Sequence, residues 1–379
     1  MAGTKRRKTG AASGKTEARA EPPKLDGPAI AAIRRDLLSW YDRERRDLPW
    51  RRTQDPYRVW LSEIMLQQTR VETVIPYYER FLERFPTVSD LAEAPIDDVL
   101  ARWSGLGYYR RARSLHEAAG QIVREHAGVF PEDSAEALAL PGVGRYTAGA
   151  ILSIAYGRPE PILDGNVIRI LSRWLRLGPE IPQSHLWTLA EDLVPEERPG
   201  DFNQAMMELG ATVCTPRSPS CLLCPVQERC EARAEGTPER YPAPKAKEKP
   251  VLVRSAVAVV VRRGRLLMCR PKDRTVLEGL WELPGVDLSP EEDAVQALAS
   301  GLERRFGIAF NAETSLPEVK HSIMSRRIRL SPILGSVEGT VPRSTEAADL
   351  RWVLLRDVTE RPIGGITRKI LRRLESTRR

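Results

Sequence analysis

Four cysteines, Cys214, Cys221, Cys224 and Cys230, form a C-x6-C-x2-C-x5-C array. Thiolates this close along a basic chain without a secretory signal hold a metal more readily than they cross-link. Structural zinc usually takes two short cysteine pairs and only one pair here is short, so the array fits a single cuboidal iron-sulfur cluster better, with tetrahedral zinc as the alternative. The fifth cysteine, Cys269, lies in an apolar stretch and reads as a core residue. Glu63 sits within Trp60-Leu-Ser-Glu-Ile-Met-Leu-Gln-Gln-Thr69, an apolar helical pattern where an unpaired carboxylate is costly to bury. It must be paired, exposed or functional. Asp164 and Asn166, in Leu163-Asp-Gly-Asn-Val167, stand where a helix begins, and either could serve as an N-cap worth about 1 kcal/mol. In Leu140-Pro-Gly-Val-Gly144, Gly142 and Gly144 make either a phosphate cradle at a helix start or a plain helix-to-helix turn.

Positioning these groups requires helices. From Ala29 to about Arg233 apolar residues recur at helical spacing, as in Ile30, Ile33, Leu37 and Leu38. Asp55-Pro56 predicts the N-terminus of the helix that carries Glu63. Further helical patterns cover Glu72 to Phe85, Tyr108 to His126, Tyr146 to Tyr156, Asn166 to Leu177 and Phe202 to Val213. Residues 29–235 are therefore expected to be all-α. Residues 236–251 have the Pro, Lys and Glu content of a linker. Residues 252–372 read as α+β: a β-hairpin turning at Arg262-Arg263-Gly264, a helix from Ala294 to Arg305, and strands near Ile328 and Leu350.

The chain has 379 residues, enough for two cores, and a formal charge of +8 that suits an anionic partner. Residues 1–28, with Lys5, Arg6, Arg7 and Lys8 in a row, read as a disordered basic tail. No stretch is apolar for long enough to span a bilayer and no signal-peptide core is present, so the expected protein is soluble and intracellular: cytoplasmic and nucleoid-associated if bacterial, without a membrane partner.

In their order, the Glu63 helix, the glycine hairpin, the Asp164 segment and the cysteine loop resemble the helix-hairpin-helix DNA glycosylases with an iron-sulfur cluster. Within that superfamily Trp60 to Thr69, Gly105-Leu-Gly-Tyr-Tyr109 and Phe202-Asn-Gln-Ala-Met-Met-Glu-Leu-Gly210 are similar to adenine DNA glycosylases of the MutY type. The resemblance covers about Ala29 to Ala234, and the α+β half matches that family's second domain in position and size. It implies a monomeric enzyme of base excision repair acting on adenine mispaired with 8-oxoguanine or guanine in double-stranded DNA, with a 4Fe-4S cluster on the four cysteines. It further implies that Arg46, Leu48, Trp50, Arg51 and Gln204 line the adenine pocket. Gln68 would fill the gap left by the extruded base and Tyr108 insert beside its partner, while Gly142 and Gly144 meet the DNA backbone.

Breaking an N-glycosidic bond calls for an acid on the departing base and a negative charge beside the cationic sugar. The resemblance assigns these roles to Glu63 and Asp164, with Tyr146 and Asn166 bonding the carboxylates and sugar. Tyr146 stands where the lyase-active endonuclease III type carries lysine, which implies a monofunctional enzyme, since tyrosine forms no Schiff base.

The second half resembles a Nudix fold whose metal-binding glutamates are replaced by Gly301, Arg304 and Arg305, so pyrophosphatase activity is not expected. The family's opposite-base reader carries Phe-Ser-His. The aligned stretch here is His321-Ser-Ile-Met-Ser-Arg-Arg-Ile328, which leaves Ser322 and Ser325 as candidates for sensing 8-oxoguanine. A G:T thymine glycosylase would share most of this architecture, but the Nudix-like half favours adenine. A non-catalytic mismatch binder would not need both carboxylates.

Overall fold

The structure, a computed structural model, describes residues 23–243, 250–273, 278–323 and 325–377. The expected disorder of the basic tail concerns residues that lie mostly outside this range, as do residues 244–249 of the linker. Helices α1 (Gly27–Glu44), α2 (Pro56–Leu66), α3 (Val71–Arg84), α4 (Val88–Glu93), α5 (Ile96–Trp103) and α6 (Arg110–Glu125) are followed by α7 (Ser134–Ala139), α8 (Arg145–Tyr156), α9 (Gly165–Trp174), α10 (Gln183–Leu193), α11 (Pro199–Thr212) and the short α12 (Glu231–Ala234). Aspartates start several of them. Asp26, Asp55, Asp133 and Asp164 each accept a hydrogen bond from a first-turn amide of α1, α2, α7 and α9, which stabilises each helix start by about 1 kcal/mol.

These helices close over two cores. One gathers Trp50, Trp60, Phe81 and Trp103 around α2 to α8; the other gathers Trp40, Ile170, Trp174 and Phe202 around α1, α9, α10 and α11. The functional segments lie where the two cores meet, because α2 and α8 belong chiefly to the first and α9 and α11 to the second.

The remaining chain builds a mixed seven-stranded sheet from β1 (Val251–Arg262), β2 (Arg265–Pro271), β3 (Gly285–Leu288), β4 (Phe310–Ser315), β5 (Val319–Ile323), β6 (Arg326–Val337) and β7 (Ala348–Leu354), with α13 (Ala294–Phe306) and α14 (Gly365–Thr377). The order β4-β6-β1-β2-β7 has β1 and β6 parallel, while β3 pairs with β1 and β5 with β6. The hairpin expected at Arg263-Gly264 is present, and both residues take the positive φ that a tight two-residue turn requires. Cys269 is 1% exposed in the core beneath α13. Arg305 bonds Asp273 and the Gly285 carbonyl, which ties α13 to the start of β3 and to the residues after β2.

A packed seam joins the two halves. Leu280 belongs to the Trp60 core, and the Ile363 carbonyl accepts hydrogen bonds from Ser104 Oγ at 2.6 Å and Tyr109 OH at 3.1 Å. Arg368 of α14 donates to Ser104 Oγ, Arg113 donates to the Glu278 carbonyl, and Arg270 pairs with Asp97. Among the described residues no helix is long and apolar enough to cross a membrane.

Candidate active site

Helix α2 presents Glu63 inward from an almost wholly buried turn, with Leu61, Ser62, Ile64 and Met65 around it. Only 5% of the residue is exposed. Burial pushes its carboxyl up to about 7, opposed by a hydrogen bond from Tyr146, raised further by Asp164 and lowered by Arg51. Tyr146, in the first turn of α8, donates its hydroxyl to Glu63 Oε2 at 2.9 Å, and burial holds its own pKa well above the ordinary tyrosine value.

Asp164 is the N-cap of α9. Its Oδ1 accepts from the amides of Asn166 and Val167 at 2.9 and 2.8 Å, and its Oδ2 from Asn166 Nδ2 at 2.8 Å. Three N–H donors and the positive end of a helix surround it with an environment for negative charge. The cap and the functional carboxylate are thus the same group. Asn166 is held in turn by Arg169, which also bonds the carbonyls of Gly210 and Cys214. Gly210 allows this approach, because a Cβ there would lie 2.5 Å from Asn166 Cβ.

Glu63, Tyr146, Asp164 and Asn166 line one cavity of about 510 Å³, together with Arg46, Leu48, Trp50, Arg51, Gln68 and Gln204. That volume suits a small aromatic ligand. Trp50 serves as core and wall together: it is 6% exposed and packs edge-on against Tyr78. Glu208, which the sequence reading did not single out, organises the far wall. It accepts bidentate bonds from Arg46 at 2.7 and 2.9 Å and another from Arg51 at 2.8 Å. Burial alone would raise its pKa, but these arginines reverse the effect and hold it at about 2. A glutamate among Ala205, Met206, Leu209 and Gly210 carried the same signal in sequence as Glu63 did.

Tyr108, Gly142, Gly144, Ser322 and Ser325 are not among the residues that line the cavity. Gln68, which lines the cavity, and Tyr108, which does not, both take left-handed backbone angles, φ 57° and 48°, and Tyr108 is 43% exposed. Gly142 turns between α7 and α8 at φ 77°, where a Cβ would strike Ser114, and Gly144 is the N-cap of α8 without a side-chain capping bond. The amides there remain available to an anion. Ser322, in β5, and Ser325, in the turn to β6, are exposed on the second half's hairpin.

Cys214, Cys221, Cys224 and Cys230 line a second, smaller cavity together with Arg173 and Trp174 of α9. Arg173 donates to Cys214 Sγ at 3.2 Å, while burial and the neighbouring thiols push Cys224 up to about 12. No group of three or more His, Cys, Asp or Glu among the described residues is placed to hold a single metal ion. Four thiols lining one small cavity are the donor set that an iron-sulfur group takes.

Residues 61–196 match the HhH-GPD superfamily of base excision DNA repair proteins, residues 214–230 the iron-sulfur binding domain of endonuclease III, and residues 256–373 the NUDIX domain family. The chain is 38% identical to the adenine DNA glycosylase of Rattus norvegicus, with 92% of this chain and 79% of that one covered. Identity to the adenine DNA glycosylase of Homo sapiens is 37%, over 92% and 74% of the two chains. Among solved structures, a thermostable thymine-DNA glycosylase superposes with a TM-score of 0.51 at 29% identity, covering 55% of this chain and 98% of that one. An endonuclease III trapped as a covalent intermediate with DNA shares the helical fold, with a TM-score of 0.50 at 22% identity over 56% and 99% of the two chains.

Proposed function

The chain belongs to the adenine DNA glycosylases, helix-hairpin-helix enzymes of base excision repair, and from that membership we propose that it hydrolyses the N-glycosidic bond of adenine mispaired with 8-oxoguanine or guanine in duplex DNA. One observation carries the reading: a buried carboxyl with a pKa of about 7 and a second carboxylate addressed by three N–H donors line a single cavity.

Adenine must leave the base stack to enter that cavity, at a cost of a few kcal/mol. Gln68 fills the gap it leaves and Tyr108 stacks beside the opposite base. Gly142, Gly144 and the open N-terminus of α8 hold a backbone phosphate. Arg46, Leu48, Trp50, Arg51 and Gln204 bound the base, and protonated Glu63 gives its proton to N7. As the C1′–N9 bond breaks, its electron pair goes to the protonated base, which departs neutral. The anionic Asp164 stabilises the cationic sugar, by charge or by transient capture. Water then adds to C1′ and its proton passes to the Glu63 carboxylate. Tyr146 and Asn166 keep the two carboxylates in register, and with tyrosine at position 146 the strand is left uncut.

The four cysteines would hold a 4Fe-4S cluster, a structural group that orders residues 214–230 for phosphate contact. Anaerobically purified protein should carry about four irons and absorb broadly near ~400 nm; zinc in place of iron would overturn this assignment. The protein acts as a monomer.

Single-turnover assays on duplexes with A or T opposite 8-oxoguanine or G test the substrate. Adenine should be released and thymine retained; release of thymine from G:T would sink the reading. The opposite base is read by the exposed β5–β6 hairpin. Ser322 or Ser325 accepts the extra N7 hydrogen of 8-oxoguanine, a bond worth roughly tenfold to a hundredfold in selectivity. Alanine at both positions should erode the preference for 8-oxoguanine while sparing excision from A:G. Unchanged selectivity would place the reader elsewhere.

A further inference from the structure

Gln68 and Tyr108 hang on two separate turns, one after α2 and one before α6, and both adopt backbone angles that side chains avoid unless their surroundings enforce them. One side chain touches both turns. Arg111 Nη1 donates to the carbonyls of Ile64, Met65 and Gln67 at 2.7, 3.0 and 2.6 Å. Its Nη2 donates to Thr69 Oγ1 and to the Gly107 carbonyl, both at 3.3 Å. The guanidinium also lies against the Trp103 and Tyr108 rings, 5.3 and 5.5 Å from their centroids.

The arrangement is more than a helix cap. A cation at the C-terminus of α2 would satisfy the orphan carbonyls alone, whereas the planar fork of this guanidinium continues to Thr69, Gly107 and the face of Tyr108. Among the described residues its Nε is buried without a hydrogen-bond partner, and burial lowers the arginine's pKa to about 10. Its hydrogen bonds to both turns offset that desolvation. Arg111 does not line the reaction cavity, so it touches neither the reacting atoms nor the bound base.

We propose that Arg111 is a positioning residue that fixes the spacing between Gln68 and Tyr108, so that the two enter the duplex as one rigid pair and its loss is felt in base extrusion rather than bond cleavage. This rests on the reading of Gln68 and Tyr108 as the wedge.

The test compares single-turnover excision from A:G with excision from the same duplex carrying an abasic spacer opposite adenine, where no pairing must be broken. Arg111→Met should slow the A:G reaction by roughly tenfold to a hundredfold, the weight of a few kcal/mol of extrusion, and the spacer reaction by less than about threefold. The pH profile of cleavage, set by Glu63, should not move. Arg111→Lys keeps the charge on α2 but lacks the fork that spans both turns, so it should show the same selective loss. Equal losses on both substrates, a displaced pH profile, or full rescue by lysine would each overturn the proposal. Gln68→Ala and Tyr108→Ala, run on the same two substrates, separate the failures. If neither changes the ratio of rates, the wedge reading is at fault; if both do and Arg111→Met does not, the inference about Arg111 alone falls.

Discussion

Glu63→Gln is expected to bind duplex DNA as the wild-type chain does and to release adenine at least about a hundredfold more slowly, the scale of a lost general acid. The amide fills the same space and its oxygen still accepts from Tyr146, but it has no proton to give N7. Asp164→Asn should lose about as much for the opposite reason, since it keeps a capping oxygen and removes the charge that faces the sugar cation. Turnover near wild type in either variant would place the chemistry elsewhere. The pH response adds a second signature. With its folded pKa raised from 4.5 to about 7, Glu63 is in its acid form below that point, so excision should decline as pH rises through it. Stability runs in the same direction. The contribution of this group is complete below the unfolded value and is lost as pH rises through the folded one, up to ~3 kcal/mol. Glu63→Gln should therefore gain stability relative to wild type in urea titrations well above the folded pKa and show no gain well below the unfolded one; parallel pH responses would refute the raised pKa.

Glu208→Ala carries the second large effect. Its carboxylate is the common acceptor of Arg46 and Arg51, whose side chains are 35% and 10% exposed. Arg46 can turn to solvent when the carboxylate goes. Arg51 is left as a buried cation, and breaking such a pair costs about 3–5 kcal/mol, with the exposure of Arg46 favouring the lower end. The urea midpoint should fall without a change in slope. A loss under about 1 kcal/mol would show that water replaces the carboxylate. Because this pKa is depressed, the stabilisation is present above the ordinary glutamate value and is lost as pH falls toward about 2, opposite in sign to Glu63.

Two helices that carry chemistry were legible from their starts and their pattern: Asp55-Pro56 marked the apolar α2, and the amphipathic run from Asn166 marked α9 within a residue at its start. Short connecting helices such as α4 and α7 span only six residues each, less than two turns of periodicity, and escaped notice. So did β4 and β5, whose residues are largely exposed and lack the alternation of a half-buried strand. At the site, Glu63 was visible as a charge in an apolar helix. Glu208 carries the same mark in the largely buried α11. Arg111 could not be found this way, since its acceptors are backbone carbonyls, which no side-chain pattern encodes.

The seam at Ile363 limits how this chain can be divided. A cut in the linker would not yield an intact helical half, because Leu280 would leave a hole in the Trp60 core, and Ser104 and Tyr109 would lose the carbonyl they share. Those residues sit in and beside the turn that presents Tyr108. Cavity formation and two orphaned hydroxyls would therefore fall on the surface assigned to gripping DNA. The Nudix-like half is thus also a keystone, and shedding it would loosen the helical half it packs against.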